Sequence, residues 1–264
     1  MPTALITGAS AGIGAAFARA LAQRGYDLVL VARREATLRA AADSLSADHG
    51  ISVEVLAADV ADPTGSSVIE ARLARLENPI DLLINNAGLG LRERFGNGDV
   101  RDEEHMMRLN VLAVMRLTHA VIDQMRSRGG GQIINVSSVA GFAPTSPGST
   151  YPATKAWVTS FSESLHMSLR PSGISVLALC PGFTHSEFHE RAGLPKGKGS
   201  WWLDADYVVQ VGLRDLARGK AVSIPAFRYK VVVSLLRHLP RRFLYWLLEQ
   251  AAHRRLKNQD ESAI

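Results

Sequence analysis

The chain has one cysteine in 264 residues, Cys180. An internal disulfide is excluded, and a reducing compartment fits such sparse use. Cys180 follows the apolar run Ile174-Ser175-Val176-Leu177-Ala178-Leu179, which reads as a buried strand thiol rather than a reactive one. No charged-then-apolar leader precedes the first apolar run, so no signal peptide is expected and the location reads as cytoplasmic. There is no internal repeat and no low-complexity block. Toward the carboxyl end, no uninterrupted apolar run reaches the roughly 18 residues of a spanning helix. Net charge is missing from most of the chain. Residues 225–264 hold eight Lys/Arg and three acids, which is the whole net charge of +5, so residues 1–224 balance. A basic tail without any groove-reading motif makes no case for nucleic acid.

What is present is an alternation. Short apolar runs at 2–7, 27–32, 52–57, 80–85, 132–137, 174–180 and 221–224 read as strands. Several of them are nearly continuous in Val, Ile and Leu, as strands covered on both faces should be. Helices are expected near 12–24, 35–48, 64–77, 102–128, 150–170 and 204–219. This pattern predicts an α/β fold, a single doubly wound domain over 1–224 whose seven-stranded sheet is mostly parallel. A length of 264 residues is ordinary for one such domain. Residues 225–264 form a separate basic, amphipathic extension, expected as two short helices joined near Pro240.

The first strand runs into Gly8-Ala9-Ser10-Ala11-Gly12-Ile13-Gly14, and a strong helix former follows. Strand, glycine turn and helix open a dinucleotide-binding unit. Gly8 permits the tight turn, and Gly12 and Gly14 let backbone approach a pyrophosphate at the helix amino terminus. A plain glycine turn before a helix is the other reading. Further on, Tyr151 and Lys155 stand four residues apart, with Ser138 thirteen residues before the tyrosine. Four residues is about one helical turn, so both side chains share a face. An ammonium beside a phenol favours the phenolate and lowers its pKa, which makes a general acid/base for near-neutral pH. A serine hydroxyl brought close can hold a substrate oxygen.

Thr7-Gly8-x-x-x-Gly12-x-Gly14, Asn85-Asn86-Ala87-Gly88, Asn110, Ser138, Tyr151-x-x-x-Lys155 and Pro181-Gly182 together resemble the short-chain dehydrogenase/reductase family over roughly residues 3–224. The resemblance implies hydride transfer between a nicotinamide and a carbonyl or alcohol carbon. It implies Tyr151 as the proton donor, Lys155 on the nicotinamide ribose, Ser138 on the substrate oxygen and Asn110 on a water chain to solvent. It implies cofactor contacts from Gly8, Ser10, Gly12, Ile13, Gly14, Asp59, Val60, Asn86, Ala87, Gly88, Pro181, Gly182 and Thr184, besides Tyr151 and Lys155. Asp59 can equally be a helix cap. The family often has a threonine five residues after that proline; here it is Ser186, so either Ser186 or Thr184 supplies the hydroxyl. Relatives of this kind often form dimers or tetramers, which implies a homo-oligomer.

Cofactor choice is read from the end of the second strand. Ala32 stands where NAD-selective sites place a carboxylate, and Arg33-Arg34 follow. Guanidiniums suit a 2′-phosphate, so NADP(H) is expected, with a pair of solvated charges as the alternative. His185, Glu187, His189 and Glu190 look like metal ligands, but the chemistry needs no metal and none is expected. Phe142, Pro144 and Phe183 are candidate substrate walls, and Trp201-Trp202 either line a pocket or staple a loop. The expected activity is NADPH-dependent interconversion of a ketone and a secondary alcohol on a lipophilic small molecule, a steroid-like ketone or a 3-oxoacyl thioester. A non-catalytic NADP(H) sensor or membrane-associated scaffold is the alternative. The tail, with Trp, Phe and Leu among basic residues, can lie on a membrane surface, pack on the body, cover the substrate mouth or build a subunit contact.

Overall fold

Apolar runs covered on both faces become the strands. The computed structural model describes residues 1–91, 93, 95–144, 150–186, 199–246 and 250. Within them the order is β1 Thr3–Thr7, α1 Gly12–Ala22, β2 Asp27–Ala32, α2 Glu35–His49, β3 Val53–Ala57, α3 Pro63–Leu73 and β4 Leu82–Asn85. Then come α4 Val100–Met107, α5 Ala113–Ser127, β5 Gly131–Val136, α6 Tyr151–Leu169, β6 Ile174–Leu179, α7 Ala205–Ala217, β7 Val222–Ser223 and α8 Phe227–His238. The sheet order is β3-β2-β1-β4-β5-β6-β7, and every pairing is parallel. This is the doubly wound architecture expected from the alternation.

Side chains alternate between two layers, as the period of a strand requires. Ile6, Leu30, Ile84 and Leu179 pack with Phe17 and Leu21 of α1 and Val208 and Leu213 of α7. Leu5, Val29, Leu83 and Val176 pack on the other side with Ile69 and Leu73 of α3 and Leu117 and Val121 of α5. Burying one Leu or Ile side chain contributes roughly 1.5–3 kcal/mol, so these layers, more than helix propensity, hold the helices on the sheet. Helix starts are set locally. Asp62 accepts from the Thr64 and Gly65 N–H groups at 3.0 Å, with Pro63 in the first turn of α3. Asp204 caps α7 through Asp206 and Tyr207.

One expected element divides. The helix anticipated over 102–128 is α4, a π-helical turn at Arg108–Leu112, and then α5. π turns concentrate at functional sites. Here the turn carries Asn110, 1% exposed, whose amide donates to Leu89 O at 2.8 Å and accepts from Leu89 N at 2.9 Å. The tail breaks near Pro240 as expected. Leu239 is extended, Pro240 O accepts from Phe243 and Leu244 N–H at 3.0 Å, and residues 241–246 are helical. α8 lies on the body, with Tyr229 and Val233 buried and Tyr229 joining the α1/α7 layer.

Candidate active site

The strand order reverses between β1 and β4, and doubly wound sheets bind ligands at the carboxyl ends beside such a point. Thr7 Oγ1 accepts from the Asn86 and Ala87 N–H groups, each at 3.0 Å. The Asn86 amide donates back to Thr7 O at 2.9 Å and to Gly8 O at 3.3 Å. These bonds tie the ends of β1 and β4 into one rim. Gly8 and Gly12 hold φ of +67° and +55°, conformations that side chains resist. A Cβ on Gly14 would stand 2.2 Å from Gly8 O, so only glycine lets α1 sit this close. Ala11, before α1, offers no side-chain cap, which leaves the first-turn N–H groups for an outside anion. Ser10 and Ile13 sit half-buried in the same turn. The cradle fits the pyrophosphate of a dinucleotide.

The second cluster forms where β5 ends. Ser138 begins the short helical turn Val139–Phe142, and its Oγ accepts from Ala140 N at 3.1 Å. Val139 N–H donates to Pro181 O at 3.0 Å, joining the ends of β5 and β6. Gly141 lets this turn approach α6, because a Cβ there would meet Ala156 N at 2.7 Å. Tyr151 opens α6 with Pro152 in the first turn, and its side chain hydrogen-bonds Ser138. Lys155, one turn on, is 5% exposed; its ammonium donates to Val136 O at 2.9 Å and stands 5.8 Å from the Tyr151 ring centroid. Asn110 Oδ1 and Lys155 Nζ lie 3.4 and 3.5 Å from where a Cβ on Gly88 would be, so Gly88 is the common floor beneath both. The Asn110 side chain also donates to Thr154 Oγ1 at 3.2 Å.

The acid–base balance differs from the simple pairing read in the sequence. Burial pushes the Tyr151 phenol up to about 12, and the Ser138 hydrogen bond only partly opposes it. Burial pushes the Lys155 ammonium down to about 8, with the Cys180 thiol nearby acting weakly the other way. Desolvation disfavours both charged forms, and a neutral phenol offers the ammonium no charge to offset it. Tyr151 is therefore a firmly protonated acid at neutral pH, and Lys155 is the group of the pair nearest to titrating there.

A family model described as short chain dehydrogenase matches residues 2–195. The chain is a short-chain dehydrogenase/reductase. It is thus an NAD(P)-dependent oxidoreductase acting between CH–OH and C=O groups. A short-chain dehydrogenase from Sphingobium yanoikuyae, solved in complex with NADPH, is 38% identical with a TM-score of 0.82, covering 98% of this chain and 96% of that one. The bulky-bulky ketone specific alcohol dehydrogenase from Comamonas testosteroni is 33% identical with a TM-score of 0.79, covering 97% and 94%. The ketoacyl reductase HetN of Nostoc sp. is 32% identical over 200 residues, 75% of this chain and 69% of that protein.

Elsewhere in the reductase, Arg33 and Arg34 stand exposed directly after β2. Arg33 Nη1 is 3.9 Å from Asp59 Oδ2, and Asp59 Oδ1 accepts from Ala61 N at 2.9 Å. Asp59 thus shapes its own turn while Asp62 caps the helix. Val60 is buried in the α3/α5 layer. Thr184 is buried and donates to Gly182 O at 3.0 Å. Ser186 is the hydroxyl residue that comes over the phosphate turn, since a Cβ on Gly12 would lie 2.8 Å from Ser186 Cβ. His185 stacks on Trp202, centroids 5.1 Å apart, and Phe183 stacks on the same indole at 5.5 Å. Glu187, His189 and Glu190 lie outside the described residues. One residue at the site had no motif to reveal it: Tyr229 of α8 packs directly against Gly182.

Proposed function

We propose that this reductase reduces a bulky, lipophilic ketone with NADPH, a steroid-like ketone or a 3-oxoacyl thioester. When bound, the cofactor supplies the hydride to the carbonyl carbon. Ser138 holds the carbonyl oxygen, and Tyr151 gives its proton to the oxygen as the alcohol forms. Lys155 grips the ribose and stabilises the phenolate left behind. Asn110, spent on Leu89 and Thr154, fixes the floor beside Lys155, where a water chain would relay the proton to solvent. The observation that carries the reading is the convergence of Ser138, Tyr151 and Lys155 at the carboxyl ends of β5 and β6, beside a glycine cradle on β1.

Two observations support the finer points. Arg33 and Arg34 offer guanidiniums where a 2′-phosphate would stand, and the Sphingobium relative was solved with NADPH. Phe142, Phe183 and the Trp202 stacked on Phe183 give the rim an apolar character, and the Comamonas relative takes bulky ketones. The test is Tyr151→Phe against a panel of bulky ketones. NADPH binding should persist, and turnover should fall by about 10²–10⁴, the usual worth of a positioned proton donor. Near-normal turnover in that variant removes the mechanism, and kcat/KM equal or better with NADH removes the cofactor preference.

A further inference from the structure

Pro181 and Gly182 lead from β6 past the Ser138 turn, and the chain returns alongside them at residues 199–203. The two stems touch through a parallel bridge between Thr184 and Leu203, with His185 N donating to Leu203 O at 2.9 Å and Leu203 N donating to Phe183 O at 2.8 Å. A third tie comes from a distant part of the chain. Tyr229 Oη accepts from Phe183 N–H at 3.0 Å and donates to Trp201 O at 2.6 Å. One hydroxyl therefore uses its donor on one stem and its acceptor on the other. The ring is 4% exposed and lies on the Gly182 backbone, where a Cβ would fall 2.0 Å from the ring Cζ. The Trp201 indole meets the same ring edge-on at 5.5 Å. From two turns further along α8, the Arg237 guanidinium covers the Phe142 ring at 4.7 Å and reaches Glu163 of α6 at 3.7 Å. α8 thus braces both the Ser138 turn and the two stems at 182–184 and 201–203.

We propose that Tyr229 is a positioning residue for ketone reduction, fixing the Gly182–Phe183 backbone against Trp201 so that the substrate rim is set before substrate arrives. Among the described residues its hydroxyl bonds Phe183 and Trp201, not the proton donor or the phosphate cradle. Its effect falls on how well the ketone is seated, so it acts on KM more than on kcat. The proposal rests on the ketone-reductase reading above, and the test separates the two.

The informative variant is Tyr229→Phe, which keeps the ring on Gly182 and removes only the hydroxyl. In the full-length protein, NADPH affinity and kcat should stay within about threefold while ketone KM rises about tenfold, as expected when two buried hydrogen bonds are lost from a preorganised site. Tyr229→Leu should raise KM further, and Tyr229→Phe should recover the part that belongs to the ring. Unchanged KM in Tyr229→Phe, with or without a fall in apparent kcat that tracks the folded fraction, overturns the proposal. If the wild-type protein turns over no ketone, the functional reading itself fails. Hydrogen exchange on the wild type supplies a readout independent of any variant: the Phe183 amide should be strongly protected, and exchange at the rate of an open loop also overturns the proposal.

Discussion

Gly182→Ala tests the packing under the active site most directly. Gly182 has no left-handed backbone requirement, so alanine fits its conformation, and the cost is purely steric. The new methyl would sit 2.0, 2.2 and 2.3 Å from Cζ, Cε2 and Cε1 of Tyr229. Carbon atoms pack at about 3.5–4.0 Å, so the overlap is about 1.5 Å across one edge of the ring. The ring cannot slide away cheaply, because its hydroxyl is held on both sides by Phe183 N and Trp201 O. Either the ring leaves its seat and gives up both hydrogen bonds, about 1 kcal/mol each, or the backbone shifts at an overpacking cost of about 1–3 kcal/mol. Gly182→Ala should therefore destabilise by about 2–3 kcal/mol, read as a lower urea midpoint at constant m. The same substitution in a Tyr229→Ala background should cost far less, giving a coupling of about 1–3 kcal/mol. A Gly182→Ala change within about 0.5 kcal/mol of wild type, or equal cost in both backgrounds, refutes the packing argument.

Other expectations follow from single residues. Ala226, at φ +69° before α8, is a non-glycine residue in a conformation that suits glycine, so Ala226→Gly should raise stability by about 1 kcal/mol in a urea titration. Lys155 titrates near 8 when folded and near 10.5 when unfolded. Above pH 8 the unfolded chain holds the extra proton, so stability should rise by on the order of 1 kcal/mol up to pH 9, where the Cys180 thiol, raised to about 11 by burial, starts to oppose it. Ketone reduction should move the opposite way, with kcat/KM falling above pH 8 as the ammonium discharges; a flat profile from 7 to 9 contradicts the Lys155 role. Phe227, Val231 and Leu235 form an exposed stripe on α8, and Phe243 stacks on an exposed Trp246 beside Arg241 and Arg242. We propose a weak contact with anionic lipid there. It is tested by flotation of the full chain and of a Phe227→Ser/Leu235→Ser/Trp246→Ser variant with phosphatidylserine vesicles, and equal partitioning dismisses it. Truncation at residue 224 is unsuitable, because it would remove Tyr229 and Val233 from the core.

What the sequence reveals depends on how local the cause is. β2 and β6 are legible because strands buried on both faces must be apolar throughout. Gly8, Gly12 and Gly14 are legible because a tight turn and a close helix leave no room for a side chain, and Tyr151 and Lys155 because a helix fixes their shared face. The π turn at Arg108–Leu112 is hidden, since an apolar period reads straight through it; what decides it is the Asn110 amide binding Leu89, a partner far back in the chain. Tyr229 is hidden for the same reason. Its ring meets Gly182 across a long stretch of chain, and nothing around Phe227–Lys230 marks that residue as different from the other aromatics of the tail.

The pKa values of Tyr151 and Lys155 belong to the same class, because burial is a property of the assembled fold. Their directions are also informative about mechanism. While the phenol is neutral, the ammonium has no phenolate to face, and desolvation, opposed only by the nearby Cys180, sets its value near 8. On the proposed chemistry, a phenolate arises when Tyr151 gives up its proton. Two opposite charges separated by about the 5.8 Å between the ammonium and the ring centroid attract by about 3 kcal/mol at an effective dielectric of 20. That attraction does not exist in the ground state and grows as the proton leaves, so it lowers the barrier rather than tightening substrate binding. It is worth about two orders of magnitude in rate. Beside a solvent-exposed lysine the same attraction would be screened to about 0.7 kcal/mol, too little to matter to the rate. Lys155, kept dry and held by Val136 O, spends it where it accelerates the reaction.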